Sequence, residues 1–95
     1  MNERVDVDSP ALLVGGATTV QGRIENLSRT GAAFAAPGTV PAFAVDARVT
    51  LRVPGGGERG TDIEFAGRIV RVEPFCDASG DSLAYAIHFD RPVRD

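Results

Sequence analysis

Apolar and polar residues alternate in three long stretches of the chain. In residues 45–53, Val45, Ala47, Val49, Leu51 and Val53 share one parity, and Asp46, Arg48, Thr50 and Arg52 take the other. In residues 82–90, Leu83, Tyr85, Ile87 and Phe89 fall on one side, and Ser82, Ala84, Ala86, His88 and Asp90 on the other. Successive strand side chains point to opposite faces, so each stretch predicts a half-buried antiparallel strand. The third stretch, 62–73, starts with Ile63, Phe65 and Ile69 on one parity and passes to Val70 and Val72 on the other. A parity change within one strand predicts a bulge, near Ala66 and Gly67 or at Ile69 and Val70.

The first half of the chain is less regular. Val5 and Val7 alternate with Asp6 and Asp8 until Pro10 interrupts them, and residues 11–14 form a short apolar strand that stops at Gly15 and Gly16. Residues 20–27 predict a strand with Gln21, Arg23 and Glu25 toward solvent, and residues 32–36 a shorter one centred on Phe34. Turn residues cluster between these runs: Gly15 with Gly16, Pro37 with Gly38, 54–57 and 77–81. Residues 41–44 read as a loop or one helical turn. Helical periodicity is weak throughout. About six strands at short spacing predict an all-β fold: a small six-stranded antiparallel barrel with little or no helix, closed or nearly closed, because closure removes exposed strand edges. No internal repeat, linker or domain boundary stands out, so residues 1–95 are expected to form a single domain.

Composition narrows the function classes. An apolar share of 43% and a charged share of 24% are ordinary for a folded domain. No apolar run approaches the ~20 residues of a membrane helix, and no charged-then-apolar leader opens the sequence. A cytoplasmic chain without membrane insertion is expected. The net charge is −3, with all ten basic residues arginine, which is not the footprint of a duplex DNA or RNA binder. Phe65, Tyr85 and Phe89 fall on inward parities, which removes them as a base-stacking platform. Cys76 has no partner for an internal disulfide, and one cysteine with one histidine, His88, cannot make a Cys/His zinc site. No cofactor is expected. A single histidine and no Gly-x-Ser-x-Gly elbow leave any hydrolytic triad arbitrary, so the chain is not expected to be an enzyme. Gly55, Gly56 and Gly57 lack the Gly-Lys-Ser/Thr ending of a phosphate loop and predict a hairpin turn.

The most informative segment runs from Gly22 to Gly31 and contains Asn26, Ser28 and Gly31 at the spacing N-x-S-x-x-G. An asparagine offers a carbonyl acceptor and two amide donors, which suits a base edge. A serine two residues on shares its side of an extended chain. The glycine permits a turn or a close approach to a ligand. The same three residue types also make an ordinary polar turn between strands.

Taken in order along the chain, these segments resemble the PilZ domain, the bacterial module that binds cyclic diguanylate (c-di-GMP). Arg4 and the alternating residues 5–8 look like the second arginine of the family's R-x-x-x-R motif and the valine-alternating stretch after it. Asn26 to Gly31 matches the D/N-x-S-x-x-G motif, Gly67 to Val72 matches G-x-V-x-R-V, and Tyr85 to Phe89 matches the closing strand. The resemblance implies a non-enzymatic signalling module that binds c-di-GMP and passes the signal to a partner protein. The ligand contacts it implies are Arg4, Asn26, Ser28 and Gly31. Arg29, flanking the motif, is a further source of positive charge. Ala86 stands where many relatives have glycine. The first arginine of the pair would fall ahead of Met1. That departure implies an alternative: a degenerate PilZ domain that binds no c-di-GMP and serves as a protein–protein interaction adaptor.

Overall fold

The computed structural model describes residues 5–55, 58–78 and 80–91. Six strands form: β1 (Val5–Gly15), β2 (Thr18–Leu27), β3 (Gly31–Pro37), β4 (Arg48–Val53), β5 (Ile63–Asp77) and β6 (Gly80–Phe89). They close into an antiparallel barrel in the order β1-β2-β3-β6-β5-β4. A single 3-10 turn, Glu58–Gly60, is the only helical element among the described residues.

The predicted parities set the core. Leu83, Tyr85, Ile87 and Phe89 of β6 are all buried, as are Val49 and Leu51 of β4, Ile69 of β5 and Phe34 of β3. Ile24 of β2 and Leu13 of β1 complete the fully buried set. Phe65 and Phe89 stack with ring centroids 4.9 Å apart. The barrel is closed unevenly. β5 and β6 pair over most of their lengths, whereas β1 meets β4 through only three residue pairs, Leu12–Arg52, Leu13–Leu51 and Val14–Thr50.

Several expectations change. Pro10 does not interrupt β1, which runs on from Val5 to Gly15. β4 pairs with β1 only over 12–14, so at Pro10 one side of β1 needs no ladder donor, the setting in which a strand tolerates proline. β4 begins at Arg48 rather than at Val45. Asp46 has φ 74°, so the chain turns there and leaves Val45 exposed. Ser82 is buried although it lies on the outward parity, between Pro37 and Phe75 of the neighbouring strands. In β5 the register shifts between Ile69 and Arg71, so the bulge falls at Val70. Val70 is the extra residue and is exposed instead of joining Val72 inside.

Residues 41–44 form a loop, and Phe43 from that loop closes one end of the core. It is 7% exposed and meets Tyr85 edge-on at 6.1 Å. The backbone N–H of Ala42 donates to Tyr85 Oη at 3.0 Å. Tyr85→Phe removes that acceptor with almost no change in volume. It is expected to lower unfolding stability by about 0.5–1.5 kcal/mol, read as a lower urea midpoint at unchanged slope.

Candidate functional site

The motif turn is built by its own serine. Ser28 N–H donates to the Gly31 carbonyl at 2.9 Å, and Ser28 Oγ donates to the same carbonyl at 3.2 Å. The hydroxyl also accepts from Thr30 N–H at 3.4 Å. Serine side chains make such local bonds readily, which is why the residue type suits a tight strand connection. The Thr30 carbonyl then accepts from Phe89 N–H at 2.8 Å, which ties the turn to the end of β6.

Gly31 has a structural reason of its own. Its φ lies outside the left-handed region. A Cβ there would sit 2.3 Å from the Ile87 carbonyl oxygen, inside any tolerable contact. The close approach expected from the sequence is therefore made to the backbone of β6.

Asn26 is half-buried near the end of β2. The register of β2 against β3 shifts between Ile24 and Asn26, with Glu25 as the extra residue. Simple alternation from the buried Ile24 would turn Asn26 inward. The bulge instead pairs it with Ala33, outside the core cluster. Ala33 pairs in turn with Ala86, and Ala86 with Arg71. Asn26, Ala33, Ala86 and Arg71 thus form one outward row across β2, β3, β6 and β5. In the adjoining row stand Arg23, Ala35, Ala84 and Glu73. The middle of this face is paved by four alanines and rimmed by polar side chains.

The rim is charged but locally balanced. Arg23 lies 4.0 Å from Glu25 and 3.9 Å from Asp77. Arg71 Nε is 3.0 Å from Glu73. Beside this face, Arg68 meets Asp46, and Arg48 meets Asp90. These are exposed pairs in high dielectric, individually weak. A shallow groove of about 480 Å³, lined by Pro10, Leu12, Gln21, Arg23, Ala35 and Pro37, continues the face toward the β1 side. That volume falls in the range of small-molecule sites.

Asn26, Gly31 and Ala86 are brought together, since Gly31 is two residues from Ala33 on β3 and pairs with His88 beside Ala86. Arg29 is exposed in the turn itself. Arg4 lies outside the described residues. Ala33 and Arg71 were missed as members of this face. The parity break in 62–73 was the available signal for Arg71, whereas Ala33 carries none. Among the described residues no group of three or more His, Cys, Asp and Glu side chains is placed to hold a metal ion. Among them, too, no helix is long and apolar enough to cross a membrane.

These features define a small closed antiparallel β-barrel whose outer face, beside a serine-tied turn, offers an alanine-paved, polar-rimmed surface. The chain belongs to the PilZ domain family, whose model matches residues 1–95. Its structure is similar to that of the Bacillus subtilis inhibitor of motility MotI/DgrA, with a TM-score of 0.72 and 16% identity. That match covers 97% of this chain and 42% of the Bacillus protein, so the chain spans less than half of that relative. It is equally similar to the PilZ domain of YcgR from Escherichia coli, determined with c-di-GMP (TM-score 0.72, 16% identity, 94% of this chain and 76% of that one). Identities this low establish a shared fold. No curated protein sequence matches the chain.

Proposed function

We propose that this chain is a c-di-GMP receptor module that passes the signal to a partner protein. The observation that carries the reading is the position of the N-x-S-x-x-G motif. In a chain of the PilZ family, it folds into a fixed turn at the margin of an open outer face, with Asn26 aimed onto that face. The carboxamide of Asn26 supplies donors and an acceptor to a guanine edge. Ser28 acts first on the turn, whose hydroxyl-bonded geometry is set before ligand arrives. Preorganisation of this kind reduces the ordering penalty of binding. Arg29 supplies positive charge to a phosphate, and the Ala86 methyl forms part of the floor. Arg4 supplies a further cationic contact to the ligand. The liganded face is the surface that a partner protein reads.

Calorimetric titration of c-di-GMP into the chain at moderate salt tests this. Saturable binding at micromolar or lower concentration is expected. Asn26→Ala is expected to weaken it by about 5- to 150-fold, since a well-formed side-chain–base pair is worth about 1–3 kcal/mol. No heat, and no movement of the Ser28 amide resonance at millimolar ligand with the protein folded, would overturn the receptor reading and leave the adaptor role.

A further inference from the structure

The outer face has a local two-fold symmetry that the sequence conceals. In β2, Arg23 pairs with Ala35, Ile24 with Phe34, Asn26 with Ala33 and Leu27 with Ala32, with the bulge at Glu25. In β5, Arg68 pairs with His88, Ile69 with Ile87, Arg71 with Ala86 and Val72 with Tyr85, with the bulge at Val70. The two ladders are the same, pair for pair, around the antiparallel contact of β3 with β6. A two-fold axis through the Ala33–Ala86 pair, normal to the sheet, carries β2 onto β5 and β3 onto β6.

The glycines confirm the correspondence independently of the pairing. A Cβ on Gly22 would lie 2.2 Å from the Ala35 carbonyl oxygen, and one on Gly67 would lie 2.3 Å from the His88 carbonyl oxygen. Ala35 and His88 are themselves related by the axis. The segments 22–27 and 67–72 read G-R-I-E-N-L and G-R-I-V-R-V. Each has a glycine against the next strand's carbonyl, a buried isoleucine, a bulge, an outward polar residue and an inward aliphatic one. The repeat is six residues long and its polar positions differ, so the sequence alone does not display it.

The axis makes Arg71 the counterpart of Asn26. Each bulge turns its polar residue onto the outer row, and bulges commonly re-aim side chains at binding sites. The two residues stand at opposite ends of a four-strand row, about 14 Å apart from three strand spacings of ~4.8 Å. Ala33 and Ala86 lie between them, both half-buried and both methyl-only. Glu73 engages Nε of Arg71. Glu73 is the one ion-pair partner of Arg71 among the described residues, and the guanidinium is largely exposed, so its fork, which matches guanine O6 and N7 or a phosphate, is within reach of a ligand.

Resting on the receptor reading above, we infer that one cyclic dinucleotide binds with its own two-fold axis along the sheet's, one half held by Asn26 and the other by Arg71. A ligand of two equal halves meets a surface of two near-equal halves, as in self-complementary two-fold interfaces. Arg71 is then a ligand-binding residue, and the bound stoichiometry is one c-di-GMP per chain.

Calorimetry on the whole chain gives the stoichiometry, and methyl NMR follows Ala33 and Ala86 in the same titration. One ligand per chain is expected, with both alanine methyls shifting together. Arg71→Ala is expected to weaken binding about 10- to 100-fold, and Arg71→Lys to recover part of it by keeping the charge. The linear diguanylate, which lacks the ring's two-fold, is expected to bind more weakly than the ring. The Arg71 side chain is 68% exposed, so an unchanged amide spectrum away from this face verifies that the variants are folded. Wild-type binding at two ligands per chain, or full affinity in Arg71→Ala, would overturn this inference and leave the receptor reading standing. No binding by the wild-type chain would overturn both.

Discussion

Phe34→Ala is expected to lower the unfolding free energy by about 3–5 kcal/mol, measured as a collapse of the urea midpoint. Phe34 is 0% exposed at the centre of β3. Its ring lies 6.3 Å from that of Tyr85, tilted by 48°. Truncation removes the largest side chain of a strand whose other inward residues, Ala32 and Ala36, are methyls. β3 therefore has nothing else with which to fill the void. Domains are typically stable by about 5–15 kcal/mol in total, so this one change removes a large part of the margin. Phe34→Leu, which refills most of the volume, is expected to recover more than half of the loss. A midpoint in Phe34→Ala within error of the wild type would show that the barrel is not packed as described.

Gly22→Ala and Gly67→Ala are expected to destabilise the barrel comparably, each by about 1–3 kcal/mol or more, since overpacking forces neighbours to shift. Neither glycine needs an unusual φ, so the usual gain from a stiffer unfolded chain would otherwise favour alanine. Contact decides the sign. At Gly22 an added methyl meets the Ala35 carbonyl and the Phe34 ring, and at Gly67 it meets the His88 carbonyl and the Phe89 backbone. Carbonyls in a sheet ladder cannot swing aside as the end of a flexible side chain can. Thermal melts of the two variants should fall well below the wild type. A melt of either variant at or above the wild type would contradict the close strand approach.

The sequence shows the fold most clearly where one face is buried and the other wet. β6 is the best case, with Leu83, Tyr85, Ile87 and Phe89 all inside. Reading became harder where the backbone departs from period two. Val45 continues the alternation of β4 on paper, but Asp46 in a left-handed conformation turns the chain away first. The bulge at Val70 announced itself because two adjacent aliphatics broke the pattern. Its counterpart at Glu25 left no such trace, because a glutamate followed by an asparagine fits a polar face with or without an extra residue. Phe43 was out of reach because its burial comes from a loop folding over the barrel's end. The motif Asn26 to Gly31 was legible as residues. The turn that Ser28 ties is local and fits its residue type, whereas the close approach that requires Gly31 is to Ile87, more than fifty positions on, and no local pattern encodes it.

The three-pair contact between β1 and β4 has a kinetic consequence. The hairpins β1–β2, β2–β3, β4–β5 and β5–β6 join neighbours in sequence and can form without closing a long loop. Two contacts join distant segments: β3–β6 brings 31–37 to 82–88 through seven residue pairs, and β1–β4 brings 12–14 to 50–52 through three. Both form only after a loop-closure penalty has been met, and β1–β4 has the fewer ladder bonds to offer in return. The barrel therefore zips shut at β1–β4 last, and the same contact is where it first breathes open. Amide hydrogens of residues 12–14 and 50–52 are therefore expected to exchange faster than those of the β3–β6 and β5–β6 ladders, which hydrogen exchange followed by NMR would measure.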